Sequence, residues 1–456
     1  MGIRTYRSIN PDNGELFAEF DDHDESAVEK ALGLLELGAD GLKSLSISER
    51  SQLLHKLASI LSDRASEYAK LSALEMGKPL AQGVSEVTKC STALTYFALQ
   101  GGSFLEPENR ESDRGVAQVR FDPLGPILAI MPWNFPFWQV LRVLGPALLA
   151  GNPVLLKHAP NVPQCALAIE RACREAGIGP EFFSTLFVST DRTKEIILDN
   201  RIRGVTLTGS VGAGRKVGTI AGGAIKPFVL ELGGSDPFIV LADADIDTAV
   251  REGVSARCMN NGQVCISPKR FLVARSSYRQ FTEQFVELMR KRRVGSPMGE
   301  ETENGPMARS DLRDELKAQV QKSMQMGAKL LCGFESVPER GNFIAPIVLV
   351  DVQKDSPAYK EELFGPVATL IPFDSEEEAI AIANDTLFGR GASVWSKDEE
   401  RALRLVPKID AGCIFINETV KSDPHLPFGG VKNSGFGREL SKEGLRQFTN
   451  IKSIRV

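Results

Sequence analysis

The sequence predicts an α/β protein: a doubly wound parallel sheet, a second α/β unit after it, and a small β arm outside both. Three observations carry that reading. From about residue 126, short apolar runs at 126–131, 153–156, 185–188, 204–207 and 228–230 alternate with helical windows. Runs that are apolar throughout suit strands buried on both faces, and intervening helices imply parallel crossover connections. A second series begins after Pro237, with helices near 245–260 and 278–292 and strands near 346–351, 366–371 and 412–416. The third observation concerns the segment 106–123, which is polar and ends in the alternating run 116–121. Alternation of that kind predicts a strand solvated on one face, and the C-terminal run 451–456 is able to pair with it.

Upstream of the first sheet, Ser48-Glu49-Arg50 opens a helix whose apolar positions Leu53, Leu54, Leu57, Ile60 and Leu61 repeat at helical spacing. Arg290-Lys291-Arg292-Arg293 follows a periodic stretch ending at Met289 and reads as a helix C-terminus, where cations complement the helix dipole. With 456 residues the chain is long enough for two or three domains. Hydrophobic residues make up 42% and the net charge is −5, which gives no global attraction to nucleic acid or to an anionic membrane. The seven cysteines (90, 165, 173, 258, 265, 332 and 413) are dispersed without a Cys-x-x-Cys pair, so neither a disulfide framework nor a metal site is expected. The N-terminus has no apolar core of a secretory signal, and 140–156, the most apolar stretch, contains Arg142, two glycines and two prolines. A reducing, cytoplasmic compartment is expected.

Cys265, in Asn261-Gly262-Gln263-Val264-Cys265, is the candidate nucleophile. Glu231-Leu232-Gly233-Gly234 supplies a carboxylate from a separate segment, 265 − 231 = 34 residues upstream. A covalent thiol mechanism needs such a base. Packing is the ordinary fate of a free cysteine, so the pair gains meaning only from its surroundings. Pro132-Trp133-Asn134-Phe135-Pro136 follows a strand, and two prolines hold an amide suited to a developing oxyanion. Thr208-Gly209-Ser210 stands at a strand-to-helix turn, where backbone N–H groups can approach an anion and Ser210 can cap the helix. Lys157 ends the strand 154–156, a place where doubly wound sheets hold nucleotides. Trp138 and Arg142 follow Asn134 at steps of four, along one face if all three are helical. Arg142 beside an apolar wall needs an anion: an internal carboxylate or a substrate's.

Taken together and in order, these segments resemble the aldehyde dehydrogenase superfamily over essentially the whole chain, through Glu362-Leu363-Phe364-Gly365-Pro366, Asn417 and Pro427-Phe428-Gly429-Gly430. The likeness is greatest to bacterial succinate-semialdehyde dehydrogenases of the shorter type. The resemblance implies a dinucleotide-binding domain (1–105 and 124–233), a catalytic domain (234–433) and oligomerisation or bridging segments (106–123 and 434–456). It implies Cys265 as nucleophile, Asn134 with the Cys265 N–H as oxyanion donors, and Glu231 as the base that activates water on a thioester. Trp133, Lys157, Gly209, Ser210, Leu232, Glu362 and Phe364 would bind the cofactor; Trp138, Arg142 and Phe428 would bind substrate. Many NAD-preferring relatives carry a Glu three residues after the strand-end lysine; here the residue is Pro160. NAD or NADP is therefore expected. The expected reaction is oxidation of an aldehyde to its acid, with succinate semialdehyde as substrate, in a homodimer or homotetramer. Other short or ω-carboxylated aldehydes, CoA-acylating chemistry and a non-catalytic binding protein are the alternatives. Glu231 favours hydrolysis over acyl transfer to CoA.

Overall fold

The computed structural model describes residues 5–113, 115–333 and 335–455. The first sheet has six strands in the order Gly435–Phe436, Phe228–Glu231, Gly204–Thr208, Ile127–Met131, Val154–His158 and Phe183–Thr185. All neighbours are parallel except the first pair. Chain order runs outward from Ile127–Met131 in both directions, so the topology reverses between that strand and Gly204–Thr208. A crevice opens at the carboxyl ends of strands at such a point.

The second sheet has seven strands, ordered Lys329–Cys332, Ile347–Val350, Val367–Phe373, Pro268–Ala274, Asp236–Val240, Gly391–Trp395 and Cys413–Ile416. Only Lys329–Cys332 runs antiparallel. Two inner strands, Pro268–Ala274 and Asp236–Val240, are buried at every residue, the charged Lys269, Arg270 and Asp236 included. A three-stranded antiparallel sheet stands apart, with Gly115–Pro123 between Glu108–Ser112 and Thr449–Arg455. Val456 of the expected C-terminal strand lies outside the described residues.

Several boundaries differ from expectation for local reasons. The early helix is Ile47–Asp63, capped by Ser46 rather than opened by Ser48: the Ser46 side chain accepts from Glu49 N–H and Glu49 reaches back. The strand expected at 185–188 is Phe183–Thr185, although Leu186 N–H still donates to Leu156 O at 2.8 Å. Leu186, Phe187 and Val188 are as buried as the strand itself, so apolarity does not mark where pairing ends. The helix Ile246–Cys258 stops short of 260 because Asn260 and Asn261 have φ of 50° and 58°. The basic cluster follows a helix spanning Arg275–Arg290. The segment 434–456, expected as one bridging piece, divides. Gly435–Phe436 joins the first sheet and Thr449–Arg455 joins the arm.

Candidate active site

Two cavities meet at Cys265. One, of about 370 Å³, lies at the crevice of the first sheet. Its lining includes Trp133, Asn134, Gly209, Ser210, Glu231, Leu232, Cys265, Glu362 and Phe364. The other, about 390 Å³, approaches from the opposite side and is lined by Lys89, Trp138, Gln139, Arg142, Cys265, Ser422 and Phe428 among others. Lys157, at the end of Val154–His158, is half-buried and lines neither; its Nζ lies 5.7 Å from the Tyr6 ring centroid.

The loop carrying Cys265 is fixed by side chains bonded to backbone. Asn261 Nδ2 donates to Gly77 O at 3.0 Å and Pro306 O at 2.8 Å. Asn260 Nδ2 donates to Asn134 O at 2.6 Å, tying the loop to Pro132–Pro136. Arg257, wholly buried, donates to the carbonyls of Gly262, Pro268 and Gly365. Gly262 has φ +74°, and a Cβ there would sit 2.2 Å from Gly365 C, so only glycine fits. Lys269, also buried, donates to Val264 O (2.8 Å) and Cys265 O (2.6 Å), with Glu362 Oε1 at 3.6 Å. Burial raises the Cys265 thiol pKa, while Arg390, Lys269 and Arg142 pull it down.

Asn134 precedes the helix Trp138–Ala150 instead of belonging to it, so the expected three-residue helical face does not exist. Its amide is aimed by other means. Asn134 Nδ2 donates to Gln263 O at 3.0 Å, two residues before Cys265. His158 Nδ1 accepts from Ala159 N–H, leaving Nε2–H to donate to Pro136 O at 2.9 Å. Burial lowers the His158 pKa to about 4, so the ring is neutral and acts as a clamp on the loop. Glu86 Oε1 accepts from Phe137 N–H and Trp138 N–H, both at 2.9 Å, and satisfies amides at the helix start. Glu86 is ion-paired in turn with buried Lys78.

Glu231 is the last residue of its strand and is 1% exposed. One oxygen is ion-paired with Arg390, and Oε1 has no hydrogen-bond partner among the described residues. Burial pushes its carboxyl up, to about 7, against the pull of Arg390; Glu439 adds to the rise. A carboxylate so placed exchanges a proton near neutral pH. Arg390 also donates to Leu232 O at 2.6 Å and Ser434 O at 2.8 Å.

Of the two partners left open for Arg142, the structure supplies the internal one. Its Nε is ion-paired with Glu439, and Nη2 donates to Thr208 Oγ1 at 3.2 Å. Glu439 is held there by reciprocal backbone bonds with Phe428, both 2.8 Å. The Phe428 ring lies 5.2 Å from the Arg142 guanidinium and 5.5 Å from that of Arg390. Arg390, Glu439, Lys269 and Lys89 were not among the expected residues. The available signals were a lone Arg between Gly389 and Gly391 before an apolar strand, and Lys269-Arg270 opening another.

On the cofactor side, the fit is that of a dinucleotide. Ser210 caps the helix Val211–Gly223, its side chain accepting from Ala213 N–H at 3.2 Å, and leaves the helix N-terminus facing the cavity wall. A Cβ on Gly209 would meet nothing nearer than 3.9 Å, so this turn leaves room for a close-lying ligand. Glu362 accepts from Gly234 N–H at 2.9 Å, and Trp133 and Phe364 pack edge to face with centroids 5.8 Å apart. At Gly233 a side chain would fall 2.1 Å from Glu362 Oε2.

Residues 2–454 match the model of the aldehyde dehydrogenase family. The chain belongs to that family. It is 44% identical, across the whole of both chains, to a probable succinate-semialdehyde dehydrogenase (NADP(+)) of Synechocystis sp.. It is 43% identical to a succinate semialdehyde dehydrogenase (NAD(P)+) of Escherichia coli, covering 98% of this chain and 97% of that one. Among solved structures, succinic semialdehyde dehydrogenase from Streptococcus pyogenes in complex with NADP+ superposes with a TM-score of 0.97. That pair is 36% identical, with 99% of each chain covered. Among the described residues no helix is long and apolar enough to cross a membrane, and no group of three or more His, Cys, Asp or Glu could hold a metal ion.

Proposed function

We propose that this enzyme oxidises succinate semialdehyde to succinate, using NAD or NADP. The observation that carries the reading is the meeting of two separate cavities at Cys265, with Asn134 and Glu231 on the cofactor-side wall. The aldehyde enters from the Trp138–Phe428 side, and the Cys265 thiolate attacks its carbonyl carbon. Asn134 Nδ2 and the Cys265 N–H take the developing oxyanion. When bound, the nicotinamide supplies the hydride acceptor. The acyl group is left as a thioester on Cys265, and Glu231 takes a proton from the water that hydrolyses it.

Ser210 and Gly209 are proposed to face the pyrophosphate, Glu362 the nicotinamide ribose, with Trp133, Leu232 and Phe364 around the ring. Lys157 is proposed to bind the adenosine ribose. Pro160 in place of a carboxylate leaves a 2′-phosphate unopposed there, which supports use of either cofactor. Arg142 is proposed to contribute to the distal carboxylate's environment from the tunnel wall. The free cysteines suit a reducing, cytoplasmic compartment. The arm built on Gly115–Pro123 leaves the outward edges of its two flanking strands without a partner strand among the described residues, with Val116 and Ile451 exposed, and is proposed to pair copies into a homodimer or homotetramer. Steady-state kinetics on a panel of aldehydes, each with NAD and with NADP, test the reading. It predicts the highest kcat/KM for succinate semialdehyde; a preference for uncharged aldehydes of equal length overturns it.

A further inference from the structure

We infer that Lys89 is the specificity-determining cation of the substrate tunnel, reading the far carboxylate of the ω-oxo acid. The inference rests on the substrate proposed above. Arg142 has Glu439, Lys78 has Glu86, and Lys421 has Glu418. Lys89, on the helix Leu80–Gln100, lines the same cavity and has no carboxylate within ion-pair distance among the described residues. The nearby acids are already engaged. Glu86 carries Lys78 and the two amides at the start of Trp138–Ala150, and Asp423 accepts from His425 N–H (2.9 Å) and faces His425 Nδ1 (2.7 Å). Among the charged residues lining the cavity and their ion-pair partners one positive charge is left over, which is what a substrate with a single distal carboxylate neutralises; Asp423 lies outside that lining.

The ammonium is held in place without being neutralised. Nζ donates to Ser422 Oγ at 2.7 Å and stands 4.4 Å from the Trp138 ring centroid, so both contacts are with neutral groups. Two of its three N–H bonds remain for a ligand. Burial and the neighbouring Arg142 lower the Lys89 pKa to about 8, while Cys90, Glu86 and Asp423 act against that fall. A bound carboxylate would reverse it, since an opposite charge favours the ammonium form. Besides Lys89, the charged groups lining the cavity are Lys78, Glu86, Arg142 and Lys421. Arg142, with Glu439 at its Nε, shapes the wall; Lys89 supplies the unmatched charge.

The test is kinetics of Lys89→Met and Lys89→Arg on succinate semialdehyde and butanal, alongside calorimetric titration of succinate and of butyrate. Lys89→Met should raise KM for succinate semialdehyde at least tenfold more than KM for butanal, and weaken succinate by a similar factor relative to butyrate. Lys89→Arg should recover most of both. In the wild type, KM for succinate semialdehyde should climb above about pH 8 while that for butanal stays level. Equal changes for the two aldehydes, or no change in succinate binding, overturn the assignment of Lys89. Wild-type enzyme that does not prefer succinate semialdehyde overturns the substrate reading itself, and the inference with it. Unchanged binding of reduced cofactor in each variant establishes that the fold is retained.

Discussion

The two cavities that meet at Cys265 are nearly equal in size, about 370 and 390 Å³, yet they are built from different material. On the cofactor side one wall is made by ends of sheet strands and the turns that leave them, Met131 into Pro132, Thr208 into Ser210 and Glu231 into Gly233, with the helix Ser310–Gln325 facing it. Its shape follows from backbone, with glycine where a ligand or Glu362 comes close. The substrate side is made by side chains from the helices Leu80–Gln100 and Trp138–Ala150 and from the loop residues 419–422. Its charged groups are matched in pairs apart from Lys89. Backbone suits a constant partner. Side chains on helices and loops suit a specific one, because they change without moving the sheet.

Variants divide along the same line. Cys265→Ala, at the wall common to both cavities, should abolish turnover while equilibrium binding of reduced cofactor persists by fluorescence titration. Glu231→Gln should stall the thioester, so that rapid mixing shows one equivalent of reduced cofactor and steady-state turnover falls at least ~10³-fold, the scale of a lost general base. In the wild type, single-turnover hydrolysis should rise with pH through about 7, because the carboxylate is the active base and burial has raised its pKa to that value. Asn134→Ala removes one oxyanion donor and should lower kcat about 10²-fold, with cofactor affinity preserved. Arg142→Leu leaves Glu439 buried without its cation. Thermal or denaturant unfolding should register a loss of about 3 kcal/mol, partly restored by adding Glu439→Gln. A large stability loss from Arg142→Leu with little change in KM would separate wall-building from substrate reading within one cavity.

What could be read from the chain also follows this division. Strand runs and glycine turns leave local traces, so the crevice and its residues at 209–210, 231–234 and 362–364 were legible as a linear series. The charge pairs were not. Arg390 is 159 residues from Glu231, and Arg142 meets Glu439 only because Gly435–Phe436 adds to the first sheet and carries the following chain back across it. No spacing rule encodes such a meeting. The helical face drawn through Asn134, Trp138 and Arg142 failed for a related reason. Periodicity assumes the helix has begun, and here it begins at Trp138, where Glu86 supplies the acceptor for its first amides. Ends of elements are set by partners from elsewhere in the chain.

The clamped loop around Cys265 has a consequence for how such an enzyme diversifies. Its fastenings run to Gly77, Gln82, Pro306, Gly365 and the Pro132–Pro136 turn, and none runs to Lys89, Trp138, Ser422 or Phe428. The sulfur is therefore presented by a frame with no direct bond to the residues proposed to read the far end of the substrate. Those readers are free to be exchanged, by drift or by an engineer, for a different aldehyde while the reactive thiol stays where it is.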